Sequence, residues 1–163
     1  SDYGGQRVCH FPAGDGRMIR VSVQREAFDI AAETLALEAA GVGAVATFTG
    51  IVRGDDGVTA IELEHYPGMT EASLREICEA AQERWLLSGC TIIHRVGRME
   101  VGEPIVLVAT ASPHRAAALE SCAFLIDRLK TDAPFWKKEY RGDAVNWVEQ
   151  KSGDVARADI WDS

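Results

Sequence analysis

Apolar and polar residues alternate from Met18 to Gln24, placing Ile19, Val21 and Val23 on one side, which is the period of a half-buried strand. Asp29 then stands where a helix cap belongs, and the spacing predicts a helix over residues 29–40 that uses Ile30, Leu35 and Leu37 and stops at Gly41. Residues 43–53 are rich in Val, Thr and Phe and read as a strand, with Gly50 marking a bulge or a close backbone approach. The turn Gly54-Asp55-Asp56-Gly57 predicts a hairpin into a strand over residues 58–66, with Ile61, Leu63 and His65 on one face. After a turn at Tyr66-Pro67-Gly68-Met69, Thr70 caps a predicted helix reaching about residue 87, whose apolar stripe is Leu74, Ile77, Cys78, Ala81 and Trp85. Two strands follow, over residues 90–100 and 103–112, joined at Val101-Gly102. The second is nearly all apolar and belongs inside the sheet. Ser112 as cap and Pro113 at the first helical position open a third helix with Leu119, Cys122, Ile126 and Leu129 on one side, ending near Lys130 ahead of Pro134. Residues 144–150 are a last short strand, and a polar tail with an isolated Trp161 runs from Lys151.

The predicted order is β-α-β-β-α-β-β-α-β with hairpin-length links, so the fold class is α+β, a mainly antiparallel sheet with three helices. Residues 18–150 form one domain and residues 151–163 its tail. Residues 1–17 mix Gly, Pro and polar types without periodicity, and they read as a flexible extension or a cloning remnant outside the fold. They have neither the apolar centre of a secretory signal nor the Arg-rich character of a transit peptide.

Composition adds exclusions. A chain of 163 residues can bury roughly 70% of its extended surface in one core. No apolar run approaches the roughly 20 residues of a membrane span, so no membrane role is expected. A net charge of −8 argues against a nucleic-acid surface. Cys9, Cys78, Cys90 and Cys122 lack ligand or redox spacing and suit a reducing cytoplasm; His65 and His94 read as packed strand residues, so no metal and no cofactor is expected.

Charge is uneven along the chain. From Arg128 to Arg141 five cations face two anions, a balance of +3 that leaves −11 for the rest, and such concentration within an acidic chain suggests an anion pocket. Lys130, Lys137 and Lys138 flank Pro134, Phe135 and Trp136, which would hold them near a packed surface. His114-Arg115 opens the third helix, where free N–H groups favour an anion and a cation opposes the helix dipole without an evident structural reason. Arg53 ends a strand after a glycine and is a weaker candidate. No Ser, Thr or Cys has a base beside it, so in an enzyme the lysines carry the chemistry: a partly desolvated lysine can exchange a proton while another holds negative charge.

The segments GAVATFTGIVR, ELEHYPGMTEASL, IIHRVG, ASPHRAAALESC and LKTDAPFWKKE, in this order, resemble the catalytic (large) subunit of molybdopterin synthase over residues 18–148. The resemblance implies an α/β hammerhead fold and a central homodimer that becomes a heterotetramer with two small ubiquitin-like sulfur-carrier subunits. It also implies sulfurtransferase activity: the carrier's C-terminal Gly-Gly thiocarboxylate enters a pocket and two sulfurs pass to cyclic pyranopterin monophosphate (precursor Z), making the dithiolene of molybdopterin. Carried over by position, the substrate-contacting residues are Ile51, Val52, Arg53, His114, Arg115, Lys130, Lys137, Lys138 and Glu139. Lys130 and Lys137 take the catalytic roles, and Arg53, His114 and Arg115 hold phosphate. Ile51 stands where a lysine is common in the family, which suggests a backbone contribution, and Lys138 stands where an arginine is common. The competing reading is a non-catalytic adaptor that docks a ubiquitin-like tail, for which His114-Arg115 would be superfluous.

Overall fold

The computed structural model describes residues 18–39, 41–148, 157 and 159–162, together with the backbone of residues 9–12. In chain order the elements are β1 (Cys9–Pro12), β2 (Met18–Gln24), α1 (Ile30–Leu37), β3 (Ala44–Ile51), a 3-10 turn (Asp55–Gly57), β4 (Ala60–His65), α2 (Met69–Arg84), β5 (Gly89–Arg95), β6 (Gly97–Glu100), β7 (Pro104–Ser112), α3 (Arg115–Asp132), β8 (Phe135–Arg141) and β9 (Ala144–Val148). They build two sheets, β1-β2-β5-β7-β3 and β6-β4-β8-β9. Among the described residues only the β2–β5 pair is parallel, so the mainly antiparallel α+β expectation holds.

The first sheet carries the main core on one face. Leu74, Ile77, Cys78 and Ala81 of α2 and Ala118, Cys122, Leu125 and Leu129 of α3 pack on Ile19, Val21, Cys90, Ile92, Val106 and Val108. Burying Leu74 or Leu125 completely is worth about 1.5–3 kcal/mol each. β7 lies inside this sheet and is buried along most of its length, as its apolar run predicts. A second, smaller core of Val52, Val58, Ile61, Leu63, Val96 and Met99 fills the joint between the sheets and braces the candidate site.

Several local expectations change. β3 and β4 are not a hairpin: β3 pairs with β7, while β4 joins the other sheet between β6 and β8. The ladder of β3 shifts register between Gly50 and Ile51, and Val52 N–H then donates to Glu103 O, so the chain leaves the first sheet there. The run 90–100 is likewise two strands. Gly97 takes a φ of 86° between β5 and β6 and hands the chain to the second sheet. β8 was not expected as a strand at all, and β1 brings part of the discounted leader into the sheet beside β2.

Helix ends move as well. Asp29 caps α1 through Ala32 N–H as predicted, but α1 ends at Leu37 and buries none of its residues; a two-point Arg20–Glu33 ion pair at 2.7 and 2.8 Å ties it to β2. Gly68, not Thr70, caps α2; the Thr70 hydroxyl instead accepts from Tyr66 N–H and donates to Pro134 O. α3 starts at Arg115 after His114, because Ser112 Oγ donates to Leu86 O and accepts from His114 N–H. Leu119 faces solvent, and Ala118, Ser121, Phe124 and Leu125 take the buried face. Trp161 is not isolated: its ring meets Trp85 and Phe124 edge-on and its Nε1–H donates to Asp127 at 2.7 Å. Residues 149 and 150 of the predicted last strand lie outside the described residues.

Candidate functional site

A cleft of about 800 Å³ opens where the two sheets meet. Period-two geometry explains its β8 wall: Phe135, Lys137, Glu139 and Arg141 share one face and line it, beside Ile61 and Leu63 of β4. The end of β3 supplies Ile51, Val52 and Arg53, and the last turn of α3 supplies Lys130. Two lysines seven residues apart in sequence thus converge from a helix end and a strand.

Their settings differ. Lys137 is half-buried with its Nζ 3.8 Å from Glu139, whereas Lys130 is exposed at the rim, contrary to the expected desolvation. Arg53 is also exposed and pairs with Asp55 at 3.3 Å. Val52 is buried and uses both backbone groups, its N–H to Glu103 O and its carbonyl to Gly102 N–H; Ile51 keeps its side chain half-exposed at the cleft. Glu139 is largely buried and forms an ion pair with Arg141 at 2.8 Å.

Three sequence-derived candidates are not brought to this cleft. Lys138 points from the opposite face of β8, bound to Glu64 and Glu62 at 3.2 and 3.5 Å and lying 4.6 Å over the Trp147 ring. The Glu64 hydrogen bond, more than the surrounding charge, pushes its pKa up from the ordinary lysine value. His114 and Arg115 are exposed at the far end of α3, and 15 residues of helix put Arg115 about 22 Å from Lys130.

Among the lining residues missed as site residues, His94, Phe135 and Arg141 stand out. His94 lies buried on β5, stacked on Phe135 with centroids 3.9 Å apart. Burial pushes its pKa down to about 3, outweighing a hydrogen bond to Arg95 O, and the Lys130 charge adds to the fall. The ring is therefore neutral, with the Nδ1 proton on Arg95 O and Nε2 left as an acceptor. Arg141, the third, sits four residues after Lys137, and that even spacing was the available signal.

Four cations (Arg53, Lys130, Lys137, Arg141) face three carboxylates (Asp55, Asp56, Glu139) around the cleft, in a chain of net charge −8. None of the described cysteines lines it. Such a site can hold an anionic small molecule and stabilise developing negative charge.

Fold and cleft together define an α+β protein of two joined sheets with a cleft between them that four cations line. The model of the family described as MoaE protein matches residues 23–132, and the chain belongs to that family. It is 55% identical over 148 residues to the molybdopterin synthase catalytic subunit of Rhizobium meliloti (strain 1021), covering 88% of this chain and 96% of that one. Among solved structures it is similar to molybdopterin cofactor biosynthesis protein E from Burkholderia multivorans, with a TM-score of 0.77 and 46% identity over 88% of this chain and 96% of that one. Molybdopterin synthase from Staphylococcus aureus superposes with a TM-score of 0.74 at 32% identity, over 78% of this chain and 95% of that one.

Proposed function

We propose that the chain is the catalytic large subunit of a molybdopterin synthase, a sulfurtransferase that moves two sulfurs from the thiocarboxylated Gly-Gly end of a small ubiquitin-like carrier to precursor Z. The observation that carries this reading is the convergence of Lys130 and Lys137 on a cleft lined by no described cysteine, in a chain 55% identical to a named catalytic subunit. Sulfur arrives on the carrier's tail. Lys137, from the half-buried wall, donates hydrogen bonds to charge that develops on the reacting oxygen or sulfur, and Lys130 at the rim draws in the terminal thiocarboxylate. Arg53 at the β3 end holds substrate phosphate, and Ile51 and Val52 shape the wall.

His114 and Arg115 belong to the same chemistry through a second copy: about 22 Å of helix separates Arg115 from its own Lys130, so the phosphate contact is made in a neighbour's cleft within a homodimer. Exposed Tyr66, Met69 and Trp136 add apolar surface of the kind a protein partner covers. The free, buried Cys78, Cys90 and Cys122 suit a reducing cytoplasm.

The test is reconstitution: chain, thiocarboxylated carrier and precursor Z are mixed and molybdopterin is measured. Product formation supports the enzyme; tight carrier binding without product supports the adaptor. Mixing and refolding an Arg115→Ala chain with a Lys137→Ala chain must then restore activity that neither has alone, because one cleft of the mixed dimer is intact. Failure to complement, with mixed dimers formed, removes the shared-site assignment.

A further inference from the structure

We propose that Arg141 is a positioning residue for Lys137: it holds the Glu139 carboxylate back, so that the Lys137 ammonium stays directed at the substrate and not at its own strand. This rests on the catalytic role given to Lys137 above. Lys137, Glu139 and Arg141 occupy successive same-face positions on β8, and Glu139 lies between the two cations. Its Oε2 makes a close ion pair with Arg141 Nη2 at 2.8 Å, whereas Oε1 stands 3.8 Å from Lys137 Nζ, beyond hydrogen-bond reach. Glu139 is the more enclosed member, with its side chain 18% exposed against 35% for each cation, so its direction is set by what it bonds. Arg141 is itself fixed from the other side. Its Nε–H donates to Asp56 O at 2.9 Å, on a turn where Asp56 adopts a left-handed φ of 55°. The guanidinium is a rigid fork, so anchoring Nε on the turn aims Nη2 at Glu139.

Without Arg141 the carboxylate has one cation left on its face of β8 and closes onto Lys137 as a hydrogen-bonded ion pair. Lys137 then enters the reaction with a donor already engaged. The loss falls on the transition state, where the ammonium is needed, more than on ground-state binding.

The experiment measures kcat and KM for precursor Z in the assembled complex with thiocarboxylated carrier, for wild type, Arg141→Ala, Arg141→Lys, Glu139→Gln, Arg141→Ala/Glu139→Gln and Lys137→Ala. Arg141→Ala should lower kcat about tenfold with KM changed less than about threefold, and the same substitution in the Glu139→Gln background should cost less than about threefold, since an amide no longer captures the ammonium. Arg141→Lys keeps a cation beside Glu139 but not the fork, so it should recover part of kcat, and it serves as the informative variant if Arg141→Ala fails to fold. Three results overturn the proposal: a raised KM with unchanged kcat, which would make Arg141 a substrate ligand; no effect; or an equal loss in both backgrounds. Near-normal turnover by Lys137→Ala would remove the underlying reading as well, whereas an inactive Lys137→Ala with additive Arg141 and Glu139 effects would remove the positioning role alone.

Discussion

Gly50→Ala perturbs the point where β3 leaves the first sheet and turns into the cleft wall. A Cβ there would stand 2.8 Å from Val106 Cγ1 and 3.5 Å from Phe48 Cε1. Val106 is buried, 1% exposed on β7, and a β-branched side chain has little rotamer freedom, so the contact is relieved by moving backbone. Overpacking of this kind costs about 1–3 kcal/mol. With a urea m-value of about 2 kcal/mol/M, a loss of about 2 kcal/mol lowers the unfolding midpoint by about 1 M at unchanged slope. Because Ile51, Val52 and Arg53 follow directly, sulfur transfer should fall too. Adding Val106→Ala removes the clash, so the double variant should be more stable than the sum of the single losses by about 1 kcal/mol or more. An unchanged midpoint in Gly50→Ala, or strict additivity in the double variant, would refute the close-approach argument.

Other consequences are open to direct measurement. Burial pushes the Cys78 thiol well up and Cys122 to about 11, so at pH 8 neither is a thiolate. Peptide-mapped labelling with an aromatic disulfide should modify them only on unfolding; rapid native labelling would contradict this. His94 has its folded pKa depressed to about 3 from 6.5, so the unfolded chain takes up the proton first; the stability due to the neutral ring is full above about pH 6.5 and drains as pH falls towards about 3. His94→Phe should therefore flatten the acid limb of the midpoint-versus-pH curve, and an unaltered limb would count against the buried neutral ring. Trp161→Ala removes two edge-on aromatic contacts and the bond to Asp127, and should cost about 2–3 kcal/mol, read as a fall in Tm; an unchanged Tm would mean the tail residue does not dock.

What the sequence showed, and what it hid, follows from how each side chain is used. The stripe Leu74, Ile77, Cys78, Ala81 was legible because α2 buries one face in one core. β8 was not, since one of its faces lines the cleft with Lys137, Glu139 and Arg141 while the other sets Lys138 and Tyr140 against Glu62; neither face carries a hydrophobic period. Residues 90–100 read as one strand because the pattern stays mostly buried across Gly97 while the chain changes sheets. Gly50 was read for what it is, yet the hairpin inferred after it failed: acceptable turn residues do not say which sheet the next strand joins. Lys130 and Lys137 were found as a charge cluster near aromatics. Resemblance alone could not tell which face of β8 Lys138 takes, nor that α3 carries Arg115 to the far end from Lys130.

The most direct test of the account is single-turnover sulfur transfer by Lys130→Ala and Lys137→Ala, each assembled with thiocarboxylated carrier and given precursor Z. Each should lose about 100-fold or more in rate while Tm stays close to wild type; carrier affinity should stay near wild type in Lys137→Ala, which acts on charge formed during the reaction, and weaken only modestly in Lys130→Ala, whose ammonium also attracts the tail's terminal charge. Lys→Arg at either position should fail to restore transfer, because a bulky planar guanidinium does not place its charge where the compact ammonium does. Near-normal transfer by the Lys130→Ala or Lys137→Ala complex would contradict the claim that this cleft is where sulfur is transferred.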